Sequence, residues 1–210
     1  MSLTNTDLVF NQRIVIDGTG HVFGVLANIV AKNLSLGAQI VVINTDKIVR
    51  AGKLRRNLVE RANFMRKRTV TNPSLGPFHH RAPSAVFSRT VRAKMNTDTT
   101  RGKKAFRRLS VFDGVPVEFA FVKPIIVPYA LATSRFNPQT KSVTLAQICE
   151  VFGWTKKDLV DRVTEESLAG AKEVAAIESN IEQLQAQAVE KVQGSAAYKA
   201  VSAELAAYGL

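Results

Sequence analysis

The chain has 210 residues, 46% of them hydrophobic, so it is long enough to bury one substantial core and is not predicted to be disordered. Its formal net charge is +12, from 29 Lys and Arg residues against 17 Asp and Glu, which favours a polyanionic partner. Cys149 is the only cysteine, which excludes an intrachain disulfide and a multi-cysteine zinc site. Neither a signal peptide nor a membrane-spanning segment is expected from the pattern of apolar residues.

The first part of the chain is predicted to form a strand, a helix and a second strand. Residues 13–17 are a β-branched run that stops at Gly18 and Gly20. Apolar residues then recur at helical spacing over residues 22–34, and Gly37 precedes a continuous apolar run in residues 39–44. Such a βαβ unit implies a parallel sheet buried on both faces, so we predict a three-layer α/β/α fold with a central parallel sheet flanked by helices.

A strongly basic segment follows this unit. Residues 50–108 contain seventeen Lys and Arg residues against only Glu60 and Asp98, a net charge of +15. The pattern predicts a helix over residues 53–68 with one apolar side, an irregular loop over 71–83, and short basic helices over 82–94 and 100–108. A surface of this charge density gains affinity for nucleic acid by releasing counterions. Twelve of the seventeen are Arg, which favours bidentate contacts with phosphate.

The remainder of the chain changes from basic to mildly acidic. Residues 109–112 and 125–127 are candidate strands, and 144–152 are predicted to be helical. Residues 1–149 carry a net charge of +16, whereas residues 150–210 carry −4. We therefore divide the chain into an α/β domain of residues 1–154 and a mildly acidic helical extension of residues 155–210. The apolar stripe of that extension favours packing on the domain or on a neighbouring protein, with a self-associating coiled coil as the alternative.

The glycine turn offers a weak case for nucleotide binding. Gly18, Gly20 and Gly24 follow a strand and precede a helix, as in phosphate-binding loops, but the third glycine comes one residue late and no G-K-[ST] follows. We interpret it as a tight strand-to-helix turn.

Neither a metal site nor a catalytic site is predicted. The three histidines are His21, His79 and His80, and none has a carboxylate or cysteine at ligand spacing. The carboxylates that would have to serve in catalysis are better explained as turn residues; they are Asp17, Asp46 and Asp113. We expect no cofactor and no enzymatic activity.

An ordered series of short motifs resembles a known family. The motifs include residues 64–68 (FMRKR), 71–74 (TNPS), 76–79 (GPFH), 81–84 (RAPS) and 111–114 (VFDG). Residues 15–18 (VIDG) and 29–32 (IVAK) look like the opening βα unit of the same family. Together they closely resemble the eukaryotic form of large-ribosomal-subunit protein thirteen, over roughly residues 13–154. The resemblance implies a parallel sheet between helices in a non-enzymatic structural protein that binds large-subunit rRNA.

We therefore predict a structural constituent of the large subunit of the cytoplasmic ribosome, which passes through the nucleolus during assembly if the source is eukaryotic. Its expected partners are large-subunit rRNA and, through the extension, neighbouring ribosomal proteins. The alternatives are a free RNA-binding regulator or chaperone and a nucleotide-binding α/β enzyme. The cations should bridge phosphates, while Asn72, Ser74, His79 and His80 meet sugars or unstacked bases. The predicted rRNA-binding residues are Arg50, Lys53, Arg55, Arg56, Arg61, Arg66, Lys67, Arg68, Asn72, Ser74, His79, His80, Arg81, Arg89, Arg92, Lys94, Arg101, Lys103, Lys104, Arg107 and Arg108.

Overall fold

The computed structural model describes residues 13–194 and Tyr198. The strands are β1 (Arg13–Asp17), β2 (Gln39–Ile43), β3 (Val49–Ala51), β4 (Leu109–Val111) and β5 (Ser142–Thr144). The α-helices are α1 (Phe23–Leu36), α2 (Leu54–Arg66), α3 (Pro83–Ala93), α4 (Thr100–Phe106), α5 (Val117–Ala120), α6 (Ala132–Arg135), α7 (Leu145–Val151) and α8 (Lys157–Gly194).

The main sheet is parallel and has the strand order β1-β2-β4. Parallel neighbours need a crossover, and α1 supplies it between β1 and β2. The two strands pair along their whole length, from Arg13 opposite Gln39 to Asp17 opposite Ile43. The predicted βαβ unit and parallel sheet are confirmed.

Apolar side chains project from both faces of this sheet, which explains the continuous apolar run in β2. One face packs against α1 and α3 in the larger core, and the opposite face packs against α5 in a smaller one. The fold class predicted from the sequence, a central parallel sheet with helices on its faces, is confirmed. The strand residues of the larger core are Ile14, Ile16, Ile40 and Val42, and those of the smaller core are Val15, Val41 and Ile43.

The candidate strand at residues 125–127 is wrong. Ile125 alone forms a parallel bridge beside β1: its N–H donates to Val15 O at 2.8 Å, and its carbonyl accepts from Asp17 N at 3.1 Å. Val127 is the next residue that would face β1, but its N–H donates to His21 Nε2 at 3.0 Å, so the ladder ends at Ile125.

A small antiparallel ribbon was not predicted. It consists of β3 and β5, which pair from Val49 opposite Thr144 to Ala51 opposite Ser142. Each strand has three residues, too few for a recognisable alternation of polar and apolar side chains. The ribbon leads directly into α7, whose start carries a capping box between Thr144 and Gln147.

The first turns of α8 belong to the main body of the protein. The chain divides into two compact units after Ser167. Within the first unit, Thr164 is buried and its hydroxyl accepts a hydrogen bond from Val115 N at 3.2 Å. Gly114, at φ +74°, permits this packing, because a Cβ there would lie only 2.7 Å from Val160 Cγ1. The functional boundary after residue 154 stays a prediction.

The glycine turn after β1 is fastened by backbone hydrogen bonds. Gly18 N donates to Ile43 O at 2.9 Å, and Gly20 N donates to Lys47 O at 3.3 Å. His21 N donates to Gly18 O at 3.1 Å. These amides are satisfied inside the protein and do not point toward a phosphate, in agreement with a tight structural turn.

His21 fixes this turn to the segment before residue 128. Its side chain is fully buried, with Nδ1 3.0 Å from Thr19 O and Nε2 3.0 Å from Val127 N. Since a carbonyl accepts and an N–H donates, Nδ1 carries the proton and Nε2 accepts. Burial lowers the pKa of His21, against smaller opposing effects from Thr19 O and the charge of Asp17.

Stability should therefore fall in mild acid. Because the folded-state pKa of His21 lies below its unfolded value of about 6.5, the unfolded chain binds the proton first. This contribution is fully present above pH 6.5 and decreases as the pH falls toward the folded-state pKa. Urea unfolding between pH 7.5 and 5.5 should show the decrease in the free energy of unfolding. His21→Gln should reduce this pH dependence, while His80→Gln, at an exposed position, should retain it. If the free energy of unfolding depends on pH equally in both variants, this role of His21 is contradicted.

Candidate nucleic-acid interface

Thirteen of the seventeen cations in residues 50–108 are exposed, while Arg50, Arg61, Arg89 and Arg108 are half-buried. These exposed side chains come from α2, the loop after it, α3 and α4, and we call them the basic surface. It consists of Lys53, Arg55, Arg56, Arg66, Lys67, Arg68, Arg81, Arg92, Lys94, Arg101, Lys103, Lys104 and Arg107.

Each of the four half-buried arginines has a partner within the protein. Arg50 and Arg56 both pair with Glu60, at 2.5 Å and 3.2 Å. Arg108 Nη2 donates to Leu34 O at 2.7 Å, which ties the end of the basic segment to the end of α1. Pairs as exposed as these contribute at most about 1 kcal/mol each, so their main effect is to position side chains and backbone.

The ring of Phe64 organises the loop between α2 and α3. Arg89 lies over this ring at 4.3 Å from its centroid, and Arg61 lies at 5.5 Å. His79 approaches the ring edge-on, with the two centroids 4.9 Å apart. Arg61 donates to His80 O and Arg89 donates to Phe78 O, so both arginines also bind the loop backbone. The long loop is consequently held against both helices and presents its cations in a fixed arrangement.

The cations near the ring of Phe64 repel one another. Burial lowers the pKa of Arg61, and the neighbouring charges of Arg89 and Arg50 act in the same direction. Residue Glu60 is one of only two carboxylates in the whole basic segment. A bound polyanion would relieve this repulsion.

Three of the four polar loop residues predicted to meet RNA have side-chain partners within the protein. Asn72 Oδ1 accepts from Ser74 N at 3.1 Å and from Ser74 Oγ at 2.5 Å, which caps a short 3₁₀ turn. His79 Nε2 lies 3.1 Å from Lys67 O and also contacts Arg68. His80 is exposed at the protein surface.

Asp113 aligns the start of α3 with the sheet. Its carboxylate accepts from Ser84 N at 2.7 Å, from Ser84 Oγ at 2.8 Å and from Thr45 Oγ1 at 2.7 Å. Asp46 Oδ1 accepts from Gly114 N at 3.1 Å, and burial raises the pKa of Asp46. Asp17 accepts from Thr19 N at 2.9 Å and from Asn44 Nδ2 at 3.0 Å. Asp17 thus serves in its own turn, as the sequence indicated, whereas Asp46 and Asp113 bind residues that are distant in the sequence.

Cys149 lies in a third core region with Leu145, Ala146 and Trp154. Its side chain is buried, and burial raises the pKa of the thiol to about 11. A thiol that is buried and protonated near neutral pH is a packing residue. Within residues 13–194 and Tyr198, no cluster of His, Cys, Asp and Glu could hold a metal ion, and no helix could cross a membrane.

Apolar residues of the interface were missed by the charge-based prediction. Phe64 organises the loop from inside, while Phe78 and Leu75 are each 77% exposed within the basic surroundings. The available signal was an aromatic residue next to Pro77 in an otherwise polar and cationic loop, a pattern common in RNA-binding segments.

The fold and this surface together define a basic α/β protein in which a cationic helical and loop insertion is held on a parallel sheet. A profile of the family described as ribosomal protein L13 matches residues 11–118. The chain is also similar to the large ribosomal subunit protein uL13 of Spodoptera frugiperda, with 35% identity over 182 residues that cover 87% of this chain and 89% of the relative. The chain belongs to the ribosomal protein L13 family, a family of structural components rather than enzymes.

Proposed function

We propose that this protein is a structural component of the large ribosomal subunit and that its basic surface binds and stabilises large-subunit rRNA. The proposal rests on the thirteen exposed cations, which are carried by three helices and by a loop that the contacts of Arg89 hold in place. A relative named large ribosomal subunit protein uL13 supports the assignment to that subunit. We further propose that the protein acts in the cytoplasm and, if its source is eukaryotic, enters the nucleolus for assembly.

Recognition should depend on the shape of the RNA. The deep groove of an A-form helix does not admit side chains, so exposed Arg and Lys residues meet the phosphates along its edges. The Phe64 ring holds Arg61 and Arg89, which bind the backbone of the loop, and Asp113 fixes the start of α3. Less loop entropy is then lost on binding, which favours tight association.

The helical extension has a different partner. Within the second compact unit, Ile177, Ile181 and Leu184 are exposed along α8 at spacings of three and four residues. Residues 168–210 carry five acidic and three basic side chains, so phosphate does not attract them. We propose that a neighbouring ribosomal protein covers this stripe.

Removal of two cations from the basic surface should weaken RNA binding without unfolding the protein. The double variant Arg66→Ala, Lys67→Ala loses two phosphate contacts, so the log-log slope of affinity against salt should become shallower by about 1.4 to 1.8. Incorporation into large subunits should decrease as well. The matched control is Lys172→Ala, Lys191→Ala, which removes the same charge from exposed positions of α8. If both variants behave alike, only net charge matters and this part of the basic surface is not a binding site.

Sedimentation separates ribosomal assembly from action elsewhere. A tagged chain expressed in its own cells should remain with large subunits through a gradient in high salt. Release from the subunits under these conditions would favour the alternative of a free RNA-binding regulator or chaperone.

The nucleotide-binding alternative finds no support in the turn after β1, whose glycine amides are already bonded to Ile43 O and Lys47 O.

A further inference from the structure

One residue of the loop exposes an aromatic ring although its backbone is fixed. Phe78 is 77% exposed, but its carbonyl accepts a hydrogen bond from Arg89 and the next residue, His79, packs against Phe64 at 4.9 Å. Exposed aromatic surface is unfavourable in water, at roughly 25 cal/mol per Å². Because both neighbouring contacts hold the loop in place, this exposure is part of a defined local structure.

The ring borders an open groove of about 630 Å³ between the loop and the end of α3. Leu75, Pro77 and Met95 supply the apolar wall, and Arg92 supplies an exposed cation. No carboxylate lines the groove. The groove is large enough to admit a nucleobase and combines a π-face with a phosphate-binding group.

We propose that this groove receives an unpaired base of rRNA, which stacks on Phe78 while Arg92 binds a phosphate of the same segment. The inference rests on the proposed function and adds a mode of recognition to it. Bases inside an A-form duplex are inaccessible, so the base comes from a bulge, loop or strand end. Arg89 and Arg92 line the groove and no carboxylate does, which favours RNA over a protein as the occupant.

Substitutions at Phe78 test the stacking directly. The full-length chain is measured against tiled fragments of large-subunit rRNA, and the fragment that binds wild type most tightly is used for every variant. Phe78→Ala should weaken binding by about 5- to 150-fold, the usual range for loss of one base–aromatic contact. Phe78→Trp should retain affinity, while Phe78→Leu should lose most of it although Leu is apolar. Val70→Ala is the matched control, because Val70 is 98% exposed in the same loop but does not line the groove.

The salt dependence separates this inference from the proposed function. Phe78→Ala removes no phosphate contact, so its log-log slope should equal that of wild type, whereas Arg92→Ala should make the slope shallower by about 0.7 to 0.9. If wild type binds rRNA with a steep slope and Phe78→Ala binds equally well, the stacking site is refuted and the basic surface stands. If Phe78→Leu binds as tightly as wild type, stacking is refuted as well, and an apolar contact such as a protein neighbour would explain the exposed ring. If wild type itself does not bind, the proposed function fails.

Discussion

Binding of the purified protein to large-subunit rRNA should weaken by roughly 1,000-fold between 50 and 200 mM salt. Each phosphate contact contributes about 0.7 to 0.9 to the slope of log affinity against log salt. The structure leaves thirteen cations exposed in residues 50–108. If half of them meet phosphates, the slope is about −5. Fluorescence anisotropy titrations at several salt concentrations give this slope.

A slope shallower than about −3 would mean that most of the basic surface is merely solvated, and the rRNA-binding proposal would then have to be abandoned. The sequence alone would suggest seventeen candidates and a steeper dependence. The difference comes from Arg50, Arg61, Arg89 and Arg108, which are half-buried. Arg50 and Arg108, for example, are engaged with Glu60 and with Leu34 O.

Two truncations within α8 should have very different effects on stability. Deletion of residues 168–210 removes only the second compact unit. Deletion of residues 156–210 also removes Val160, Thr164 and Ser167, which exposes Trp154 and the turn at Gly114. The longer deletion should lower the free energy of unfolding by about 2–4 kcal/mol, from exposure of roughly 100 Å² or more of apolar surface. The shorter deletion should leave the free energy of unfolding nearly unchanged.

Thermal unfolding followed by circular dichroism compares the two deletions, and rRNA titrations of the shorter one provide the functional control. The shorter deletion should keep wild-type affinity, because residues 168–210 carry a net charge of −2 and gain nothing from phosphate. It should nevertheless reduce incorporation into subunits if a neighbouring protein covers Ile177, Ile181 and Leu184. Equal stability of the two truncated chains would show that the first turns of α8 are dispensable, and a loss of rRNA affinity in the shorter deletion would place the extension on RNA.

Features set by strong local patterns could be predicted from the sequence. The apolar runs of β1 and β2 predicted a parallel βαβ unit, and the amphipathic spacing of residues 53–68 predicted α2 with its cations outward. The three-residue strands β3 and β5 could not be predicted, since three residues carry no periodic pattern. The strand proposed for residues 125–127 failed because Val127 donates its N–H to the buried His21 and not to β1, which leaves a single bridge at Ile125.

The predicted rRNA-binding residues stay a prediction, and the structure divides them by their contacts within the protein. Charge density located the basic segment, but it does not distinguish a cation that faces solvent from one that binds a backbone carbonyl. Arg61 and Arg89 lie against the ring of Phe64 whereas Arg92 is exposed, and that difference is set by tertiary structure. The role of Phe64 itself was invisible because a half-buried aromatic residue on a helix is most often part of the core.

The order of the strands gives salt two opposite effects on this protein. β4 pairs with β2, so the sheet is complete only when the basic segment between them has been brought into a compact form. Closing this long loop costs entropy, and repulsion among its cations adds to the barrier to folding. Added salt screens that repulsion and should speed folding, while the same salt should weaken the proposed attachment to RNA. On that proposal, the bound polyanion should itself lower the barrier to folding, because it neutralises the same cations.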